Sequence, residues 1–229
     1  MQDEQLPDVA VFLASSAHDM KNSLNMLSGR VERFLAELSP ASFSGYQDLS
    51  YMLYEIKRIN HGLIQLLALY KIGERLYPFD PQPILLTHFI DDLVALNSPL
   101  LSSLNIELDS ACPEDLVWHF DEDLIGGVIS QALNNAAHYT KKRIHLAVTS
   151  SNSQLEIRVE DDGPGFPLAM LSKTVSTPSK IDFNSGSTGL GLYFARTVAG
   201  MHKNQGRHGT LNLENGGAWG GGCFILQLP

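Results

Sequence analysis

From Leu6 onward, apolar residues recur at alternating steps of four and three: Leu6, Ala10, Leu13, Ala17, Met20, Leu24, Leu27, Val31, Phe34 and Leu38. An unbroken heptad rhythm of that length predicts one long helix packed along its length against others. The segment SPASFSG at 39–45 breaks the pattern, and a second seam follows with the same rhythm: Leu49, Met52, Ile56, Ile59, Leu63, Leu66 and Tyr70. Gly73 stands where a C-cap is expected, and Pro78, Pro81 and Pro83 bar continuation of the helix. Two long helices with a short connection predict an antiparallel hairpin. A lone hairpin leaves much of each apolar stripe in water, and dimerisation into a four-helix bundle covers it. Residues 1–76 therefore read as a dimerising helical module.

Beyond the proline-rich linker the pattern changes, and residues 77–229 read as a second, mixed domain. PILL predicts a short strand, 87–103 an amphipathic helix, NIELD and LVWHF two strands, and 121–138 another helix. RIHLAVTS and QLEIRVED alternate apolar and polar positions on either side of the polar turn SSNS, as two paired strands do. A segment rich in Pro, Ser and Gly occupies 167–188, followed by a helix over about 189–203 and two closing strands, GTLNLEN and GCFILQLP. The order predicts an α+β fold, with helices layered on one face of a mixed sheet.

Composition narrows the function. The formal net charge of -9, from 16 basic and 25 acidic residues, leaves no electrostatic footprint for nucleic acid or an anionic membrane. No apolar run approaches the roughly 18 residues of a membrane span, and the acidic start MQDEQLPDVAVFLASS is unlike a signal peptide. Cys112 and Cys223 are far apart, lack metal-ligand spacing, and read as buried small apolar residues in a reducing compartment. A cytoplasmic location is expected.

Four stretches carry residues that packing alone does not explain. SSAHDMKNSLNML places His18, Asp19, Lys21 and Asn22 on the first helix; His18 lies one position beyond the seam residue Ala17, so it projects from the flank of the bundle. QALNNAAHYT places Gln131 and Asn135 four apart on a helix, with both amides facing the same way. VEDDGPGFP runs a strand into a turn, with Asp161 at the strand end able to accept a hydrogen bond and Gly163 and Gly165 permitting a sharp turn and a close ligand. STGLGLYFARTVAGMH sets Gly189 and Gly191 ahead of a helix, whose first N–H groups suit phosphate. Each alone reads equally as a solvated face, a tertiary amide contact, a plain turn or a weak G-x-G.

Their order and spacing are more specific. The chain resembles the catalytic core of bacterial sensor histidine kinases, of the gyrase, chaperone and kinase (GHKL) ATP-binding superfamily: HDMKNSL is similar to the phosphoacceptor box, NNAAHYT to the N box, DDGPG to the first glycine box and TGLGL to the second. The resemblance implies a Bergerat-type α/β sandwich that binds ATP with Mg²⁺, following the helical hairpin. It implies His18 as phosphoacceptor, Asp19 as its acid/base partner and Asn22 as the residue orienting water in dephosphorylation of a partner. Asn135 is implied to hold Mg²⁺ and Asp161 to bind the adenine amine. Gln131, His138, Tyr139, Gly163, Gly165, Thr188, Gly189, Leu190, Gly191 and Leu192 complete the nucleotide site. A homodimer, a response regulator receiver domain as partner, and input from a longer chain or a separate sensory protein follow from the same resemblance.

This sequence departs from the pattern at several points. Gln131 stands where such kinases have Asn and the ATP-hydrolysing relatives have Glu; an amide does not deprotonate water, which argues against an ATPase. His138 replaces the usual Lys of the N box, and Ser23 replaces a frequent proline, so the helix is expected to bend less there. The lid at 168–187 has Lys173 and Lys180 and, in Phe183, a poor substitute for the phenylalanine box. These departures motivate a second reading: a kinase-like or phosphotransfer protein that docks a response regulator or another kinase without using ATP.

Overall fold

The computed structural model describes residues 9–38, 44–171 and 189–229, and divides the chain into two compact units, Met1–Pro78 and Phe79–Pro229. In the first unit, helices α1 (Val9–Glu37) and α2 (Tyr46–Gly73) form the predicted hairpin. Lys57 and Glu32 pair across it at 2.7 Å, and the Asn60 amide donates to Asn25 Oδ1 at 2.8 Å. Helix α2 does end at Gly73, but the left-handed residue that turns the chain away is Arg75 (φ 58). The hydrogen bond from Leu76 N to Lys71 O closes that turn, so the cap is Glu74, one residue after the glycine, and the left-handed position follows it.

The hairpin uses only part of each seam. Met20, Leu27 and Phe34 on α1 and Met52, Ile59 and Leu66 on α2 are 47–64% exposed, each set at intervals of seven, while Ala17, Leu35, Leu53 and Ile56 are buried. A residue repeated every seventh position forms one stripe along a helix.

The second unit begins with β1 (Gln82–Leu85), α3 (Leu86–Ser103), β2 (Glu107–Ala111), β3 (Val117–Phe120) and α4 (Glu122–Tyr139). It continues with β4 (Arg143–Ser151), β5 (Gln154–Asp161), the single turn α5 (Leu168–Leu171) and α6 (Leu190–Met201). It closes with the small hairpin β6 (Lys203–Asn204) and β7 (Arg207–His208), then β8 (Thr210–Gly216) and β9 (Gly221–Leu228). The main sheet runs β2-β4-β5-β9-β8, parallel between β2 and β4 and antiparallel elsewhere; β1 and β3 form a separate antiparallel ribbon. The strands expected in sequence are present. The β6–β7 hairpin, two residues a side, is too short to leave a periodic signal.

The alternation seen in the sequence decides the layers. Ile144, Leu146 and Val148 on β4, and Leu155, Ile157 and Val159 on β5, are buried on one face. The register carries that face across to Phe224, Leu226 and Leu228 of β9. The helices supply the other half of the core, with Phe89 and Ile90 from α3, Ile125, Ile129 and Leu133 from α4, and Phe194 and Val198 from α6. At roughly 1.5–3 kcal/mol per fully buried large apolar side chain, this layer is the main source of stability. Asn152 and Ser153, both at positive φ, make the tight two-residue turn between β4 and β5. Cys223 is buried as expected, and burial with the neighbouring Glu160 charge pushes its thiol up to about 11; Cys112 is only partly buried, at the end of β2, where a strand edge leaves it reachable by solvent.

The start of α4 is locked by two residues that no local pattern announces. Asp121 caps the helix by accepting from Leu124 N at 3.0 Å, and its other oxygen accepts from Asp80 N at 3.2 Å, tying the entering chain to the helix. His202, 4% exposed, accepts from Asp121 N through Nε2 at 3.0 Å, while its Nδ1 lies 2.8 Å from the Val198 carbonyl and Phe79 meets its ring edge-on. The ring must therefore be neutral, with Nδ1–H donating. Burial holds its pKa below the ordinary histidine value, opposed by the Val198 carbonyl and the Asp121 charge. A depressed histidine pKa adds stability in full above about pH 6.5, and that contribution is lost as pH falls toward the folded-state value. Thermal melts from pH 7.5 to 5 are expected to show the parent losing more stability than a His202→Gln variant; parallel losses would reject this role.

Candidate nucleotide and phosphoacceptor sites

On α1 the His18 side chain is 60% exposed, one position from the buried Ala17. Its Nδ1 lies 3.3 Å from the Asn22 amide nitrogen, one turn along, and 3.7 Å from Asp19 Oδ1. Helical spacing alone produces this cluster, since i and i+4 side chains are neighbours. Both contacts fall on the same ring nitrogen, which leaves Nε2 facing outward. The Ser23 hydroxyl donates to the Asp19 carbonyl at 3.0 Å, so α1 continues through this position as expected from the missing proline.

In the second unit the signals converge where α4, the end of β5 and the start of α6 meet. Gln131 and Asn135 share a face of α4, with Gln131 Nε2 donating to Asn135 Oδ1 at 3.0 Å. His138 and Tyr139 lie exposed in the last turn, their rings edge-on at 4.7 Å.

Asp161 ends β5 and is 7% exposed. Its Oδ1 accepts from Gly163 N at 2.7 Å and Gly222 N at 3.1 Å; among the described residues Oδ2 accepts from none. Glycines make the close approach possible. A Cβ on Gly221 would collide with the Asp161 backbone and carboxylate, one on Gly222 would stand 2.9 Å from Oδ2, and one on Gly163 would collide with the Tyr139 carbonyl. Only Gly165 of the DDGPG turn takes a left-handed conformation (φ 80). It does so under Asn215, whose amide accepts from Phe166 N at 2.6 Å and donates to Phe166 O at 2.8 Å. The glycines thus serve protein–protein closeness first, and that closeness shapes the carboxylate's surroundings.

Asp162 holds the other side of the turn. Its Oδ1 accepts from the Thr140 hydroxyl at 2.5 Å and from Lys141 N, Lys142 N and Arg143 N at 2.8, 3.0 and 3.3 Å. Burial raises its pKa, but these donors outweigh it and hold the carboxyl well below the usual carboxylate range. It fastens the loop after α4 to the strand end that carries Asp161. Asn215, Gly221, Gly222 and Asp162 were not singled out from sequence; the doubled Asp-Asp of DDGPG was the one signal that pointed toward Asp162.

Gly189 caps α6 at φ 65, with no described residue close to where a side chain would stand. Leu190, Gly191 and Leu192 form the first turn, and a Cβ on Gly191 would lie 2.8 Å from Gln131 Nε2. Thr188 and the lid residues Lys173, Lys180 and Phe183 lie outside the described residues. A separate groove of about 640 Å³, lined by Phe79, Trp118, Met201 and Pro229 among others, sits at the start of α4 rather than at its Asn135–Tyr139 end. None of the nucleotide-box residues lines it.

Residues 120–229 match the family of histidine kinase-, DNA gyrase B- and HSP90-like ATPases. Among curated proteins, sensor protein SrrB of Staphylococcus aureus is 21% identical over 224 residues, 95% of this chain; the chain spans 37% of the length of that relative. Among solved structures, the catalytic domain of histidine kinase ThkA covers 66% of this chain and 95% of its own, with a TM-score of 0.54 and 22% identity. Histidine kinase AdeS of Acinetobacter baumannii covers 92% of this chain and 96% of its own, with a TM-score of 0.57 and 17% identity. At those identities the structures speak for the fold alone, which is the α+β arrangement expected. Among the described residues no helix is long and apolar enough to cross a membrane. Most of the second unit thus matches the histidine kinase-, DNA gyrase B- and HSP90-like ATPases, and the chain along most of its length is similar to sensor histidine kinases, with the fold of their catalytic domains.

Proposed function

We propose that the chain is a cytoplasmic, homodimeric protein-histidine kinase. It binds ATP in the second unit, passes the γ-phosphoryl group to His18 and then on to an aspartate of a response regulator receiver domain. Input comes from a further segment of a longer chain or from a separate sensory protein. The observation that carries this reading is Asp161: a buried carboxylate with one oxygen held by two backbone N–H groups and the other accepting nothing among the described residues. That second oxygen is not sealed from solvent, so it stays reachable, and a ligand amine such as that of adenine can donate to it in a charge-assisted hydrogen bond.

Phosphoryl transfer depends on positioning and charge neutralisation more than on covalent chemistry by the protein. Gly189, Leu190, Gly191 and Leu192 present the N-terminal end of α6, where N–H groups and the helix dipole favour phosphate. His138 and Tyr139 flank the triphosphate. In the described arrangement the Asn22 amide donates to His18 Nδ1; for transfer the ring proton sits on Nδ1 and turns to Asp19, 3.7 Å away, and the Nε2 lone pair attacks phosphorus, forming the P–N bond as the bond to the ADP oxygen breaks. Asn22, one turn away, orients water in the reverse, dephosphorylating direction. Magnesium, when bound, neutralises phosphate charge, and Asn135 is the residue that would hold it. Its oxygen is engaged by Gln131 in this arrangement, so the residues do not fit the ion as they stand. Labelling with γ-labelled ATP tests the reading. The label should survive alkali and be lost in acid, as an N–P bond requires; absent or acid-stable label would sink it.

The two exposed stripes support the homodimer. Met20, Leu27 and Phe34 beside Met52, Ile59 and Leu66 repeat on both helices with one period, which suits a self-complementary two-fold interface. Sedimentation is expected to give a dimer for the parent and a monomer for a Leu27→Glu, Ile59→Glu variant. A monomeric parent at micromolar concentration would contradict this.

A further inference from the structure

We propose that Trp219 is a positioning residue for base recognition: docked on the outer face of the sheet, it holds the start of β9 where Gly222 N meets Asp161. The inference rests on the nucleotide reading above and concerns what keeps that same site in shape. The ladder between β5 and β9 ends at Glu160 and Cys223. At the next position Gly222 N donates to Asp161 Oδ1, 3.1 Å away, where a strand bond to β5 would otherwise stand. The two segments lie so close that a Cβ on Gly221 would collide with the Asp161 carboxylate. Gly163 N and Gly222 N together fix Oδ1 and hence the direction of Oδ2. With one donor withdrawn the carboxylate turns about its soft Cβ–Cγ bond, and Oδ2 no longer points at one place.

The turn from β8 into β9 reads Gly216, Gly217, Ala218, Trp219, Gly220, Gly221, with Gly217 and Gly220 at φ 61 and 80. Glycine backbone is costly to order, and Trp219 is the one large side chain in the turn. It is well anchored. The Arg143 guanidinium lies 4.9 Å from the centre of its ring, and the His145 ring meets it at 5.7 Å and 61°. Arg143 and His145 alternate along β4 with the buried Ile144 and Leu146, so this contact is on the face turned away from the helices. His145 is itself tied to β2, with Nδ1 2.8 Å from Asp109 Oδ2. Beside the tryptophan, Ala218 N donates to Glu160 Oε2 at 3.2 Å. β8 pairs with the far edge of β9 through Asn215 and Gly216; Trp219 and Ala218 supply the anchorage on the β5 side. Arg143 thus secures both flanks of Asp161, its backbone N–H bonding Asp162 at 3.3 Å and its guanidinium lying over the residue that leads into Gly221 and Gly222.

The test is the affinity of the full chain for ATP and for GTP by calorimetry, in the parent, Trp219→Ala, Trp219→Phe and Arg143→Gln. Trp219→Ala is expected to weaken ATP about tenfold, the combined worth of an exposed cation–π contact and one ring pair. GTP, whose base has an acceptor carbonyl where adenine has its amine, is expected to stay within about twofold, so the preference for ATP falls. Trp219→Phe keeps a ring over Arg143 and is expected to remain within about threefold of the parent. Arg143→Gln is expected to cost about threefold alone and nothing further in Trp219→Ala, because it acts through the tryptophan. Without nucleotide, the Gly222 N–H is expected to exchange with solvent about tenfold faster in Trp219→Ala. An unchanged exchange rate, or equal losses of ATP and GTP, overturns the proposal, the second by marking a role in stability alone. If Trp219→Ala does not melt cooperatively, Arg143→Gln carries both measurements. A parent that binds no ATP overturns the nucleotide reading and this role together, whereas ATP binding indifferent to Trp219 overturns this role alone.

Discussion

Replacing His18 by alanine is expected to abolish labelling from γ-labelled ATP, while ATP affinity and thermal stability stay at the parent's level. The separation follows from where the residue sits. His18 is exposed on α1, and its partners among the described residues are its own helical neighbours Asn22 and Asp19, so removing the ring opens no cavity in a core. Alanine also favours the helix more than histidine does. The loss of label is then a loss of the nucleophile and not of the fold. Asp19→Asn separates the roles further: with no charge to hold Nδ1–H, fewer rings present a lone pair at Nε2, and labelling is expected to slow by about 10²-fold, at the low end for a general acid–base partner. Label persisting in His18→Ala would move the acceptor elsewhere on the chain.

The second large effect is expected at the other site. Asp161→Asn should weaken ATP binding about 100-fold and erase much of the preference for ATP over GTP. The amide oxygen of the variant takes the place of Oδ1, because Gly163 N and Gly222 N both need an acceptor there. That choice forces the amide nitrogen into the place of Oδ2, where it meets the adenine amine donor to donor. Losing a charge-assisted hydrogen bond and leaving a buried donor unpaired costs about 3 kcal/mol together, or about two decades in affinity. Guanine presents an acceptor carbonyl at the equivalent position and suffers less. A parent with no ATP affinity, and no change in Asp161→Asn, would favour the reading in which the protein docks or relays phosphate without using the nucleotide.

How far the sequence carried this account differs from element to element. The hairpin was legible because a heptad period is a purely local consequence of helical geometry. The paired strands β4 and β5 were legible because strict alternation over eight or nine residues has no other economical explanation. The side-chain cluster around His18 was legible for the same reason, since i, i+1 and i+4 on a helix set the neighbours of His18 before any tertiary contact forms. The end of α2 falls at Gly73 as expected, but the cap is Glu74 and the left-handed turn is taken by Arg75, with the chain committed by bonds back to Lys71 and Ile72.

The nucleotide site was legible only in outline. Asp161 could be named, but what fixes its carboxylate comes from 61 positions further on, from Gly222 N. Asn215 reaches back 49 positions to hold Phe166. His202 supports the start of α4 from 81 positions away. No periodicity or turn rule connects residues so distant in sequence, because they meet only after the sheet has set β9 beside β5.

The sequence by itself determined the helical hairpin, the layer order of the α+β unit and which residues to propose for the chemistry, since all three rest on local geometry and on side-chain type. Only the tertiary structure decided that half of each helical seam remains exposed, that Asp161 keeps one oxygen without a described partner, and that Gln131 occupies the Asn135 oxygen while packing on Gly191. Those three depend on which surfaces and which hydrogen-bonding atoms are left over once the core has closed. Such a remainder exists only in three dimensions.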